Sequence, residues 1–216
     1  MAPRALCYSG FAILYSGTSR TPIYAAQRLN KLQLKTRLAR SNKFFADARL
    51  PRAERAELDD YKNSGLDRGH MAPAGDMSTP EAMAQSFSLA NMVPQSAEGN
   101  RHAWANIEKA TRKYVMRAAG DVFVITGPVY ELPAPTIGAN RVWVPQHLFK
   151  LVYDPATGRA WAHWLDNTDS ARAGKPISYS ELVRRTGIEF LPGSALRAAA
   201  DALPEPTAVH QAVGPL

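Results

Sequence analysis

The chain has 216 residues, 45% of them hydrophobic and 21% charged, and its formal net charge is +7 at pH 7. These values are typical of one large globular domain or two small ones and exclude wholesale disorder and a fibrous repeat. No apolar run approaches the roughly 20 residues that a membrane-spanning helix needs. The single cysteine, Cys7, excludes an internal disulfide and a cysteine-rich zinc site, and its apolar neighbours predict that its side chain is buried.

The chain begins with two predicted strands. Apolar residues fill 12–15 and 22–26, and a Ser-Gly-Thr-Ser turn separates them. From 31 to 66 the sequence is irregular and charged, which predicts a long surface loop with a short helical piece near 52–61. Loops of this length within a compact domain are usually functional.

Most of the positive charge lies in and just before this loop. Residues 28–55 contain nine Lys or Arg and two Asp or Glu, so this basic segment alone carries +7. Clustered basic side chains attract polyanions and make their binding strongly dependent on salt. A nucleic acid is therefore the expected partner, and the alternative is a solvated basic face without a partner.

The rest of the chain alternates helices and strands. A short helix is predicted from Thr79-Pro80, then a strand over 87–93, and apolar spacing predicts the longest helix over 100–119. The later elements are predicted to be strands over 122–126, 142–153 and 159–165, a helix from Ser178 to Gly187, and a last helix over 195–203. Since no repeat or linker divides the chain, we expect one domain over 1–203 and a proline-containing tail over 204–216.

The run Asp-Arg-Gly-His at 67–70 is unusual for a core strand. Charged groups there need water or partners, and Gly69 allows another group to approach the backbone closely. An isolated histidine is more often a surface residue or a satisfied core residue, so His70 alone does not establish a site. The sequence has no helical zinc pair of histidines, no phosphate loop of the Walker type and no G-x-S-x-G turn, which excludes several large enzyme classes.

A polar ridge is predicted on the longest helix. Asn100, Trp104, Glu108 and Arg112 recur every four residues and would lie along one side of it. The alternative is an exposed ridge with a Glu108–Arg112 ion pair, which stabilises a helix by only about 0.2–0.5 kcal/mol.

Three motifs in succession resemble one family. D-R-G-H at 67–70, N-x-x-P-Q at 91–95 and N-x-x-x-W-x-x-x-E at 100–108 are similar to those of the DNA/RNA non-specific endonucleases. These are the ββα-metal (His-Me finger) nucleases, typified by the Serratia nuclease and mitochondrial endonuclease G. The resemblance covers roughly 15–193. It implies an α+β fold with a mixed, mainly antiparallel sheet and helices packed on it, and a nuclease that cleaves DNA and RNA to 5′-phosphate and 3′-hydroxyl ends.

The resemblance also implies roles for individual residues. His70 would be the general base that activates water, and Asn100 the protein ligand of a single Mg²⁺, for which Mn²⁺ can substitute. Glu108 would hold water of that ion, because the helical rise of about 12 Å between Asn100 and Glu108 disfavours direct binding by both. Arg112 would face the substrate phosphate or pair with Glu108, and Arg40 matches an upstream catalytic arginine.

Four more residues complete the predicted site. Asp67 and Arg68 are expected to support the strand that carries His70, with a substrate contact as the alternative for Arg68. Asn91 and Gln95 would contact the substrate or support the residues that do. Arg101, where relatives often have glutamine, is expected to lie outside the mechanism.

The role expected of His70 suits an imidazole, because a histidine with an ordinary pKa of about 6.5 can take a proton from water at neutral pH.

Two other functions and the cellular location stay open. The chain could be a nucleic-acid-binding module without activity, which His70→Ala would distinguish, or a nuclease restricted to one type of nucleic acid. We expect an exported protein, periplasmic or secreted, whose leader is absent from this sequence, with the cytoplasm or delivery as a toxin as alternatives. The resemblance admits a homodimer and a protein inhibitor as partners and gives no reason to expect a membrane.

Overall fold

The computed structural model describes residues 3–191 and Gly193. None of the helices in this part of the chain is long and apolar enough to cross a membrane. The strands and helices are, in chain order, β1 (Arg4–Cys7), β2 (Ala12–Ser16), β3 (Thr21–Leu29), α1 (Lys31–Lys35), α2 (Leu58–Tyr61), β4 (Leu66–His70), α3 (Pro80–Gln85), β5 (Met92–Ser96), α4 (Ala105–Val115), β6 (Val122–Val129), β7 (Thr136–Ile137), β8 (Val142–Trp143), β9 (His147–Asp154), β10 (Arg159–Asp166), β11 (Ile177–Ser178) and α5 (Tyr179–Thr186).

Seven of these strands form one antiparallel sheet in the order β1-β2-β3-β6-β9-β10-β11. The interior strand β9 is buried along most of its length, as expected for a strand that is covered on both faces. One cluster of buried side chains includes Tyr15, Phe87 and Trp104 and joins the sheet to α3 and the start of α4. A second cluster packs Leu182 of α5 against Leu151. The sheet is thus a rigid support for what lies on it.

The strands β4 and β5 form a separate antiparallel pair in which Gly69 lies opposite Val93. A wide turn of π geometry, Gly99–Trp104, follows β5 and leads directly into α4. Two strands and a helix therefore lie together beside the large sheet. The predicted close approach at Gly69 is confirmed, because a Cβ atom there would collide with the side chain of Gln95.

Several predicted elements are confirmed. The two early strands are present, and the Thr79 hydroxyl accepts a hydrogen bond from the backbone N–H of Ala82 at the start of α3. The helix α5 ends at Gly187, whose φ of 69° suits glycine. The predicted helix over 195–203 and the tail over 204–216 lie outside the described residues. The single domain expected over 1–203 therefore stays a prediction.

Other predictions are wrong in position. The strand expected over 87–93 begins only at Met92, because Leu89–Asn91 forms a tight turn whose first N–H groups are capped by Ser88. The longest helix begins as the π turn and ends at Val115. β1 and α1 were not expected, and β1 is an edge strand with a single buried side chain, which leaves a weak pattern. For the same reason Cys7 is exposed, not buried as predicted.

Candidate active site

A cleft of about 300 Å³ lies between β4 and α4. It brings together six residues that were predicted from sequence, although they are spread over more than 70 positions of the chain. These are Arg40, Arg68, His70, Asn100, Glu108 and Arg112, and the rest of the lining comes from Pro73, Ala74, Gly75, Arg101 and Ala105. Asp67, Asn91 and Gln95 do not line it.

His70 ends β4 and is only 7% exposed. Its ring meets the edge of Phe87 at a centroid distance of 5.0 Å, and Phe44 lies 5.9 Å away. Burial, and secondly the charge of Arg40, lower the pKa of His70 to about 3, well below the ordinary value that was expected. The imidazole is therefore neutral at pH 7. Its Nε2 is buried and has no hydrogen-bond partner among the described residues.

Asn100 lies in the π turn, and its orientation is set by Asp67. The amide Nδ2 of Asn100 donates to Asp67 Oδ2 over 3.0 Å. Because a carboxylate only accepts hydrogen bonds, the amide nitrogen must face Asp67, which leaves the amide oxygen to face the cleft. Arg101 in turn donates to both oxygens of Asp67, at 2.9 and 2.7 Å. Arg101 is thus coupled to the site, which the sequence analysis did not expect.

The helix α4 contributes Glu108 and Arg112. Burial is the main cause that raises the pKa of Glu108 to about 7; Asp76 adds to the shift, and the charges of Lys150, Arg112 and Arg40 oppose it. Arg112 donates to Asp76 over 2.9 Å, so its ion-pair partner is not the Glu108 that one alternative proposed. Asp76 is 8% exposed and lies in a tight turn shortly after His70. Sequence reasoning missed it, since an acid six residues beyond a histidine carries no signal of its own.

Two more arginines stand at the mouth of the cleft. The guanidinium of Arg40 lies over the ring of Phe87 at 5.0 Å, and that of Arg68 lies over Phe44 at 4.2 Å. Both rings are the ones that surround His70. Stacking of this kind orients a guanidinium without using its hydrogen-bond donors. Positive charge therefore flanks the imidazole on two sides, with Arg112 on the helix wall.

Asn91 and Gln95 lie behind β4 and are fully buried. The amide of Asn91 accepts from the backbone N–H of Ala72 and donates to the carbonyls of Ala72 and Ser86. It therefore fixes the chain immediately after His70. Gln95 fills the space that Gly69 leaves open. Both residues can support the site, and neither offers a surface to a substrate.

A loop far along the chain completes the support. The side chain of Asn167 accepts from the N–H of Ser96 over 2.9 Å and donates to the carbonyls of Pro94 and Pro145. Asp169 accepts from the Ser96 hydroxyl and from the N–H of Glu98. These contacts fix the end of β5, where the turn with Asn100 begins. The sequence around 167–169 carries no pattern that would have indicated this.

The cleft fits a hydrated divalent cation. The amide oxygen of Asn100 and the carboxylate of Glu108 are oxygen donors of the kind that Mg²⁺ prefers, and Mg²⁺ usually keeps several waters. Over residues 3–191 no three His, Cys, Asp or Glu side chains converge on one point as a ready-made metal site.

In the basic segment 28–55, the side chains of Arg28, Arg49 and Arg55 form ion pairs with acidic residues, whereas Arg40 lines the cleft.

Comparison with known proteins gives consistent results. A family model described as DNA/RNA non-specific endonuclease matches residues 1–196. The mitochondrial nuclease EXOG of Danio rerio is 33% identical over 86% of this chain and 60% of its own length. Endonuclease G of Bos taurus is 32% identical over 69% of this chain and 54% of its own. The chain spans less than two thirds of the length of the first curated relatives it matches.

A solved structure of the EndoG/EndoGI complex superposes with a TM-score of 0.79, at 25% identity over 86% of this chain and 84% of that one. This confirms the expected α+β, ββα-metal fold. The expectation of an exported protein is wrong, because relatives such as EXOG and Nuclease 1 of Schizosaccharomyces pombe are named as mitochondrial.

Proposed function

The chain belongs to the DNA/RNA non-specific endonuclease family, and on that premise we propose that it is a metal-dependent endonuclease that hydrolyses the phosphodiester bonds of DNA and RNA. One observation carries the proposal: the imidazole of His70 and the amide of Asn100 share one cleft with three arginines. A base, an oxygen donor for a cation and fixed positive charge are the groups that phosphodiester hydrolysis uses.

In the proposed reaction the arginines bind the phosphate and His70 acts on water. Arg40, Arg68 and Arg112 hold the phosphate oxygens and stabilise the charge that develops on them. His70 takes a proton from the attacking water as the new P–O bond forms and the bond to the 3′ oxygen breaks, and the leaving 3′ oxygen takes a proton from a second water, which leaves a 5′-phosphate and a 3′-hydroxyl. One Mg²⁺, or Mn²⁺ in its place, held by Asn100 and through water by Glu108, would neutralise charge on the phosphate and the leaving oxygen.

The same contacts support activity on both nucleic acids. Contacts between arginines and phosphates do not depend on the base sequence of the nucleic acid, and the phosphate is common to DNA and RNA. Parallel digestion of duplex DNA, single-stranded DNA and RNA tests this. Comparable rates on all three are expected, and cleavage of only one would indicate the restricted nuclease instead.

The proposed activity is tested by nicking of a supercoiled plasmid. Wild-type protein with Mg²⁺ should convert the plasmid to open circles, whereas EDTA, His70→Ala and Asn100→Ala should each abolish the conversion. A folded wild-type protein that retards the plasmid without cutting it would be a binding module. Cutting that survives both substitutions would contradict the assignment of His70 and Asn100.

Besides nucleic acid, we propose two protein partners, an inhibitor and a second copy of the chain. EndoG is inhibited in its complex with EndoGI, which supports a protein inhibitor as a partner of this chain. A homodimer is proposed on the family resemblance, and light scattering coupled to gel filtration decides between one copy and two.

A further inference from the structure

A second cavity adjoins the cleft. Its volume is about 360 Å³, and it shares Ala74, Gly75 and Arg112 with the cleft, so that the Arg112 side chain borders both cavities. The rest of its lining includes Leu34 of α1 and the residues 36–38 that follow this helix. We call this space the side cavity.

The side cavity combines an apolar interior with positive charge. Met77 and Met83, which are 3% and 6% exposed, form its floor, and Leu38 adds to it. Arg37 and Arg112 supply the charge, and only Nη1 of Arg112 is used by Asp76. Apolar side chains suit the faces of a base and a sugar, while arginines suit phosphate oxygens. The volume is within the range of small-molecule sites.

Another cavity borders the cleft at Arg68, and its lining differs. It is lined by Asp59 and Asp67 as well as Lys62 and Arg68, and no methionine among the described residues forms its floor. Because Asp76 pairs with Arg112 and Arg101 pairs with Asp67, net charge does not distinguish the two cavities. The side cavity is distinguished by its apolar floor, which suits the faces of a base and a sugar.

We propose that the side cavity is a nucleotide subsite, which holds the nucleoside next to the scissile phosphate and places the following phosphate on Arg37. This rests on the proposed nuclease function. Gly75 and Arg112 line both cavities and lie against each other, since a Cβ atom on Gly75 would come within 3.2 Å of Arg112 Nη1. A side chain at this position would therefore press on the guanidinium that the two cavities share.

The test compares two substrates and two charge-matched variants. Arg37→Ala removes a charge from the side cavity, and Lys35→Ala removes the same charge from an exposed residue that does not line it. The substrates are a single-stranded decanucleotide and bis(p-nitrophenyl) phosphate, a phosphodiester without nucleosides. Arg37→Ala should raise KM for the decanucleotide about tenfold, as expected for one lost contact to a charged group. It should leave hydrolysis of the small diester unchanged, and Lys35→Ala should have little effect on either.

The same contact is measured without catalysis. Binding of a fluorescent decanucleotide in EDTA should weaken about tenfold in Arg37→Ala and much less in Lys35→Ala. Equal losses in the two variants would overturn the subsite, because they would show only general attraction between charges. A loss on the small diester would also overturn it. If the wild type cleaves neither substrate, the proposed function fails, and the binding measurement in EDTA still decides the subsite.

Discussion

The two walls of the cleft hold their functional groups by different means. On the strand wall, His70 is fixed by the backbone pairing of β4 with β5 and by aromatic rings, and it is uncharged. On the helix wall, Asn100 and Arg112 are each held by a carboxylate from elsewhere in the chain, Asp67 and Asp76. The strand wall therefore depends on shape, and the helix wall depends on charge.

This difference predicts different sensitivities. Close packing transmits small changes in volume, so the strand wall should tolerate few substitutions. Hydrogen-bonded ion pairs adapt to conservative replacements, and salt weakens the more exposed pair, Arg101–Asp67, so the helix wall should lose activity gradually.

The largest effect is expected from His70→Ala. A general base contributes about 10²–10⁴-fold to a rate, and no other neutral base lines the described cleft. Single-turnover cleavage of plasmid by folded protein measures the loss. His163→Ala is the matched control, because this second histidine also has a pKa lowered by burial, to about 4, but lies outside the cleft. Equal losses in both variants would contradict the assignment of His70.

The next effect is on stability and tests the shape of the strand wall. Gly69→Ala should lower the free energy of unfolding by about 3 kcal/mol, since its Cβ would collide with a fully buried Gln95 that has little room to move. Urea unfolding measures this. Gly120→Ala, with open space around the new Cβ, should change little. The double variant Gly69→Ala with Gln95→Ala should be more stable than Gly69→Ala alone. A double variant that is no more stable would contradict the steric explanation.

How much of the site was predictable depends on whether its signals are local. The capped helix α5 depends on neighbouring residues and was predicted from them, whereas the strand that carries His70 was expected only with the family resemblance, because its charged run is unusual for a core strand. The partners Asp76 and Asn167 depend on distant segments meeting in space, which no spacing reveals. The pKa of His70 was also out of reach, because burial by the two phenylalanines arises only in the fold.

The third prediction concerns the charged wall. Asp67→Ala should free the Asn100 amide to rotate and weaken Mn²⁺ binding about 10- to 100-fold, as is usual when a partner of a metal ligand is lost. Calorimetric titration with Mn²⁺ measures the affinity. Arg101→Gln removes only the two hydrogen bonds that Arg101 donates to Asp67, so it should weaken Mn²⁺ binding less than Asp67→Ala does. An unchanged affinity in Asp67→Ala would show that the amide does not need this contact.

The smallest effect is expected in the pH dependence of wild-type stability, because the two walls oppose each other. The pKa of His70 is lowered to about 3 in the folded state, so between about pH 6.5 and 3 the unfolded chain binds more protons there, and stability falls as pH falls. The pKa of Glu108 is raised to about 7, so between about pH 4.5 and 7 the folded chain binds more protons there, and stability falls as pH rises.

The two slopes overlap between about pH 4.5 and 6.5 and partly cancel, and each is at most about 1.4 kcal/mol per pH unit for one proton. A variant that lacks one of the two titrating groups should therefore show the slope that is due to the other. In Glu108→Gln, stability should rise more steeply with pH across this window than in the wild type, whereas in His70→Asn it should rise less or fall. Urea unfolding at steps of pH in EDTA measures both slopes. If the two variants shift the slope in the same direction, the opposite pKa shifts assigned to His70 and Glu108 are wrong.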